Sequence, residues 1–211
     1  PTPNFPMLDR LLVAGEKAEI DDLVIIFNKV DLEDASIITK KFAHYARMGY
    51  TVLQTSAKDG RGIDALRELL RGKISAFTGP SGVGKTSLLN CIQPDLGRAV
   101  KNVSGYYQEG VHTTRDSALI KLDATIYGDK TYLADTPGMR SLNVWDIEPT
   151  ELDGYFRDIA PHIGNCRFSN CTHEHEPGCG VRNALKKNLL SLARYKSFLK
   201  LREELEVLYA Y

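Results

Sequence analysis

The chain has 211 residues, 43% hydrophobic and 26% charged, enough to bury one substantial core with a small satellite, and this excludes wholesale disorder. Aromatics at 9% with 17 glycines and 9 prolines exclude a low-complexity or collagen-like chain, and no apolar run approaches the ~18 residues of a membrane span. Lysine plus arginine (27) balance aspartate plus glutamate (27), so any nucleic-acid contact must come from a local basic surface rather than from global attraction.

Residues 1–6 show neither a basic n-region nor an apolar h-region, which points to a cytoplasmic protein. Leu8, Leu11, Leu12 and Ala14 at helical spacing predict a helix over 7–19, and the run Leu23 to Phe27 reads as a buried parallel strand. Helical pattern over 33–48 precedes a β-rich run from Tyr50 to Leu53. An amphipathic helix at 62–71 and a short strand at 74–77 follow, then a helix through Leu88 and Leu89, a polar stretch at 93–116, and two strands within 117–134. Strand and helix alternate, so the class is α/β. Beyond about 150 the signals are helical. Leu185, Leu189, Leu192, Leu199, Leu205 and Leu208 predict one or two amphipathic helices between Arg182 and Tyr209. A boundary near 145 divides the chain into parts 1–145 and 146–211.

Gly79, Pro80, Ser81, Gly82, Val83, Gly84, Lys85 and Thr86 follow a predicted strand and open a helix, with Ser87 next; this is the context of a P-loop. Glycines leave backbone N–H groups free to close round phosphate oxygens. Lys85 adds positive charge at the β- and γ-phosphates, and Thr86 offers a hydroxyl to Mg²⁺. Asn28, Lys29, Val30 and Asp31, directly after the first strand, resemble the guanine-selecting N-K-x-D element of GTPases. The alternative reading has Asp31 merely capping the next helix. In the GTPase reading, Asp31 accepts from guanine N1–H and the 2-amino group, and a site built to pair such donors rejects a base lacking them.

Thr55, Ser56, Ala57 and Lys58 resemble the second base-contacting element, whose backbone N–H meets guanine O6. Asp135 to Gly138 resembles D-x-x-G, where Asp135 holds Mg²⁺ through water and the Gly138 N–H senses the γ-phosphate. His112, Thr113, Thr114 and Arg115 resemble a switch element in which one of the two threonines completes the Mg²⁺ shell. Met139 stands where many GTPases carry the water-orienting glutamine, which predicts slow intrinsic hydrolysis and leaves His112 as the nearest residue to position water. The base motifs precede the P-loop, so the order is circularly permuted. Joined ends and new openings at exposed loops preserve core contacts.

Cys166, Cys171 and Cys179 lie within fourteen residues, while Cys91 stands apart as core. With one of His162, His173 or His175 they make a tetrahedral set suited to structural zinc. The segment 160–180 holds too little apolar surface to order itself, so a metal would fold it rather than perform chemistry. Arg182, Lys186, Lys187, Arg194, Lys196, Lys200 and Arg202, interleaved with Tyr195 and Phe198, read either as an RNA-backbone surface or as a solvated helix face.

Permuted GTPase motifs followed by Cys-x4-Cys-x-His-x5-Cys resemble the bacterial small ribosomal subunit-dependent GTPases of the RsgA or YjeQ family, over nearly the whole chain. The resemblance implies a circularly permuted P-loop GTPase domain with a small, mainly helical zinc module, and His173 as the fourth zinc ligand. It further implies GTP and GDP as ligands, Mg²⁺, one structural Zn²⁺, and a monomer that binds the small subunit and its rRNA and hydrolyses GTP late in maturation. Most relatives add an N-terminal OB-fold, for which residues 1–22 are too few. The rival readings are a large-subunit assembly GTPase, and a zinc-containing RNA-binding adaptor with a static GTP site.

Overall fold

The computed structural model describes residues 3–97, 118–135 and 146–210. Helix α1 (Phe5–Lys17) begins where the Asn4 side chain accepts from the Met7 N–H at 3.1 Å, with proline in its first turn, where the missing N–H costs nothing. Strand β1 (Val24–Asn28) leads through a 3₁₀ turn (Val30–Leu32) to α2 (Ala35–Arg47), and β2 (Thr51–Thr55) leads to α3 (Ile63–Leu70). A two-residue strand β3 (Ile74–Ser75) precedes α4 (Lys85–Ile92). Strand β4 (Ala118–Lys121), the short helix α5 (Ala124–Tyr127) and β5 (Tyr132–Asp135) complete this part. The cap of α2 is Asp34, which accepts from the Ser36 N–H at 2.7 Å; Asp31 does not cap it.

Strands β1 and β2 are parallel, with Asn28 level with Thr55, and β3 and β5 are parallel, as α/β alternation requires. Strand β4 departs from that pattern and lies antiparallel on β5, because the connection over 122–131, with its single-turn helix, is too short for a crossover. In β1 only Ile25 is fully buried, so the apolar run is less enclosed than its composition implies.

Two compact units divide the chain: Val24–Ser141, and Pro1–Leu23 together with Leu142–Tyr211. The first 23 residues, grouped by sequence with the nucleotide half, pack in the second unit. The core of the Val24–Ser141 unit joins Ile63, Leu66 and Leu70 of α3 to Leu88, Leu89 and Ile92 of α4 and to Leu133 of β5. The other unit surrounds Phe156, Ile159, Val181, Phe198 and Leu201, with Val13 and Ala14 of α1 in the same cluster. It contains α6 (Ala160–Ile163), α7 (Gly180–Lys186) and the 18-residue α8 (Leu192–Tyr209).

The buried stripe of α8 is Arg194, Tyr195, Phe198, Leu201, Arg202 and Leu205. The leucine pattern misjudged this phase: Leu189, Leu192 and Leu208 are exposed. Arg194 turns inward because Asp9 of α1 and Asp158 meet its guanidinium at 2.6 and 3.0 Å, and it stacks over Phe156. Arg202 donates to the Pro149 carbonyl at 2.7 Å. Arg194, Arg202, Tyr195 and Phe198 are thus structural, and the basic face retains Lys186, Lys187, Lys196 and Lys200 as its exposed members.

Candidate nucleotide and metal sites

The parallel register of β1 and β2 delivers the two base motifs side by side. Thr55 Oγ1 donates to Asn28 Oδ1 at 3.2 Å, and Asn28 Nδ2 donates to the Val83 carbonyl at 3.0 Å, which ties both motifs to the P-loop. Lys29, in left-handed backbone, donates from Nζ to the Gly82 carbonyl at 2.7 Å. Val30 is buried beneath this turn, and Ser56 Oγ donates to Asp31 Oδ1 at 3.0 Å, aiming the carboxylate. Ala57 is half-buried and Lys58 exposed.

Sequence reasoning passed over the brace of that loop. Ser56 N–H donates to the Arg61 carbonyl, and Arg61 grips Asp59 at 2.6 Å, holding its carboxyl well below the usual carboxylate range. Cys91, expected as core, is half-buried and reaches the Ala57 carbonyl at 3.5 Å.

Gly79, Gly82 and Gly84 all have positive φ, and a Cβ on Gly84 would lie 2.3 Å from Asn28 Nδ2. Only glycine permits that approach. Lys85 Nζ donates to the carbonyls of Gly79 and Pro80 at 2.6 and 2.8 Å, so its charge sits inside the loop. Pro80, Ser81, Thr86 and Ser87 are exposed round it, with Val83 half-buried. Glycine-opened N–H groups, a lysine and a helix N-terminus together form a cradle for a phosphate chain, and Thr86 supplies the oxygen type that Mg²⁺ takes. The backbone of Asp135 ends β5, opposite Ala118. His112, Thr113, Thr114 and Gly138 lie outside the described residues, as do Arg115 and Met139.

In the other unit, Cys166, Cys171, His173 and Cys179 place one donor atom each within 4.8 Å of one another. Cys166 Sγ stands 4.0 Å from Cys179 Sγ and 3.6 Å from His173 Nδ1, and Cys179 Sγ lies 3.4 Å from Nδ1. A tetrahedral zinc with ordinary bond lengths spaces such donors about 3.6–3.8 Å apart, so the residues fit the ion. Neither His162 nor His175 belongs to the group.

Backbone donors meet two of the three sulfurs. Gly180 and Arg182 N–H groups donate to Cys166 and Cys179 sulfur, and a Cβ on Gly180 would strike the His162 carbonyl at 2.3 Å. Burial pushes the Cys171 thiol up to about 12, so it needs a cation to ionise. Asp153, which no spacing pattern flags, contacts His173 Nε2 at 2.9 Å and leaves Nδ1 facing the Cys166 and Cys179 sulfurs, where it would hold the zinc. Tyr195 donates its hydroxyl to the His173 carbonyl, fastening the loop to α8.

The family model described as RsgA GTPase matches residues 1–145. The chain belongs to this family. Among RsgA relatives, the small ribosomal subunit biogenesis GTPase RsgA 2 of Bacteroides thetaiotaomicron is 38% identical, over 97% of this chain and 67% of its own length. The small ribosomal subunit biogenesis GTPase RsgA of Thermotoga petrophila is 41% identical, over 97% and 68%. The crystal structure of YjeQ from Thermotoga maritima superposes with a TM-score of 0.77 at 38% identity, over 97% of this chain and 67% of that one. YloQ, a circularly permuted GTPase, gives 0.75 at 30%, over 98% and 64%. The chain thus spans about two thirds of the length of these relatives, and its motif order is that of a permuted GTPase.

Proposed function

We propose that this RsgA-family chain is a GTPase of small ribosomal subunit biogenesis, hydrolysing GTP to GDP and phosphate on the particle. The observation that carries the reading is the bonding of Asn28 and Lys29 to the P-loop carbonyls of Val83 and Gly82, with Thr55 bonded to Asn28 and Ser56 aiming Asp31, which supports a base site joined to a phosphate cradle. Asp31 pairs the guanine edge, a backbone N–H of the Thr55 to Lys58 element meets O6, and Lys85 with the loop N–H groups holds the phosphates. Mg²⁺, when bound through Thr86, neutralises developing phosphate charge. Asp135 and one of Thr113 and Thr114 would help to hold that ion, Gly138 would sense the γ-phosphate, and His112 would position water.

Cys166, Cys171, His173 and Cys179 hold one structural zinc that orders the C-terminal module. Lys186, Lys187, Lys196 and Lys200 supply backbone contacts to rRNA, in a protein that works as a cytoplasmic monomer. Among the described residues no helix is long and apolar enough to cross a membrane.

Phosphate release from GTP, with ATP as control, measured alone, with small subunits and with large subunits, tests the reading. Selective stimulation by small subunits is expected. Stimulation by large subunits alone, or equal turnover of ATP, would overturn it. A His112→Ala chain that binds GTP normally and keeps full stimulated turnover would remove His112 from the mechanism.

A further inference from the structure

Helix α4 carries Thr86 and Asn90 four residues apart, hence on one face. Past Ile92 the chain doubles back along that face. The Leu96 N–H donates to the Gln93 carbonyl at 3.2 Å and its side chain is buried, and the Gly97 N–H then donates to Asn90 Oδ1 at 2.8 Å. This hydrogen bond lays Gly97 against the turn that holds Thr86. A Cβ at position 97 would lie 2.7 Å from Thr86 Cγ2, 2.9 Å from the Thr86 carbonyl oxygen and 2.8 Å from Asn90 Oδ1. Its φ lies outside the left-handed region, so space, rather than backbone conformation, demands glycine there.

Threonine has two accessible side-chain rotamers in a helix, and choosing where the methyl goes also chooses where the hydroxyl points. With the methyl seated on the bare Cα of Gly97, one orientation is selected. We propose that Asn90 and Gly97 are positioning residues for divalent-cation binding: Asn90 holds Gly97 against Thr86, and Gly97 fixes the direction of the Thr86 hydroxyl. The inference rests on the reading of Thr86 as a Mg²⁺ ligand and deepens it. Neither residue belongs to the P-loop pattern, and Gly97 lies eleven positions beyond Thr86.

The test is the Mg²⁺ concentration needed for half-maximal tightening of a fluorescent GDP, measured on the whole chain, with GDP affinity in EDTA as reference. Gly97→Ala is expected to raise that concentration about tenfold, the lower end of what lost outer-shell support costs a metal site, while metal-free affinity is unchanged. Asn90→Ala shifts it in the same direction, and Asn90→Asp, which keeps the acceptor, restores most of it. Should Gly97→Ala abolish GDP binding even in EDTA, its fold is damaged and Asn90→Ala, on an exposed helix position, decides alone. Thr86→Ala separates the two levels. If it leaves the Mg²⁺ dependence unaltered, the reading of Thr86 itself fails; if it shifts the dependence while Asn90→Ala does not, the seat is overturned.

Discussion

Asp153 lies 20 residues before His173 in the chain and 2.9 Å from its Nε2. Replacing it with Asn leaves the four ligands in place but removes the carboxylate that orients the ring, so zinc affinity should fall about 10–100-fold, as read by competition with a chromophoric chelator. Asp31→Ala should abolish preference for GTP over ATP in competition binding, since in the proposed reading its carboxylate accepts from guanine N1–H and the 2-amino group; retained selectivity would count against the base site. Glu176 supplies a pH signature. Burial works against its charge, yet the Thr172 N–H and hydroxyl and the His175 N–H outweigh it and lower the pKa from 4.5 to about 2. A depressed carboxyl stabilises fully above its unfolded value and loses that contribution as pH falls towards the folded one. Glu176→Gln should therefore lower the melting temperature at pH 6, and its deficit against the parent chain should vanish between pH 4.5 and about 2.

Helix α8 illustrates where element-level reading fails. Leucine spacing promised an apolar stripe, but burial follows the partners of two arginines, and those partners lie far away in sequence: Asp9 is 185 positions from Arg194. Burial disfavours the Arg194 charge, and Asp9 and Asp158 more than offset this, raising its pKa. Removing the arginine strands the buried Asp9 carboxylate and the half-buried Asp158. Arg194→Met should cost about 3–5 kcal/mol in chemical denaturation, the scale for breaking a buried ion pair on one side. A loss below 1 kcal/mol would mean that water reaches the triad. The strand ends behave differently. Asn28 and Thr55 were legible through their resemblance to GTPase base motifs, just past the predicted β-runs; in the structure they close β1 and β2, and the parallel register makes them neighbours.

At the scale of the molecule, every described nucleotide-site residue lies within Val24–Ser141, and all four zinc ligands lie in the unit of Pro1–Leu23 with Leu142–Tyr211. Stripping zinc should erase the near-ultraviolet signal of Tyr195 and its surroundings while leaving GDP affinity intact; simultaneous loss of GDP binding would show that the nucleotide half depends on the metal. Residue identity and short spacing pointed to the phosphate loop and to three cysteines with a nearby histidine, while resemblance to GTPases supplied the base motifs, their permuted order and His173 as the fourth ligand; each works through backbone geometry or donor chemistry confined to a few consecutive residues. Tertiary structure alone decided the rest. Asp153 behind His173, Gly97 beside Thr86, α1 packed with the C-terminal unit, and the inward turn of Arg194 all depend on side chains or backbone brought together by packing, and no local period encodes such pairings.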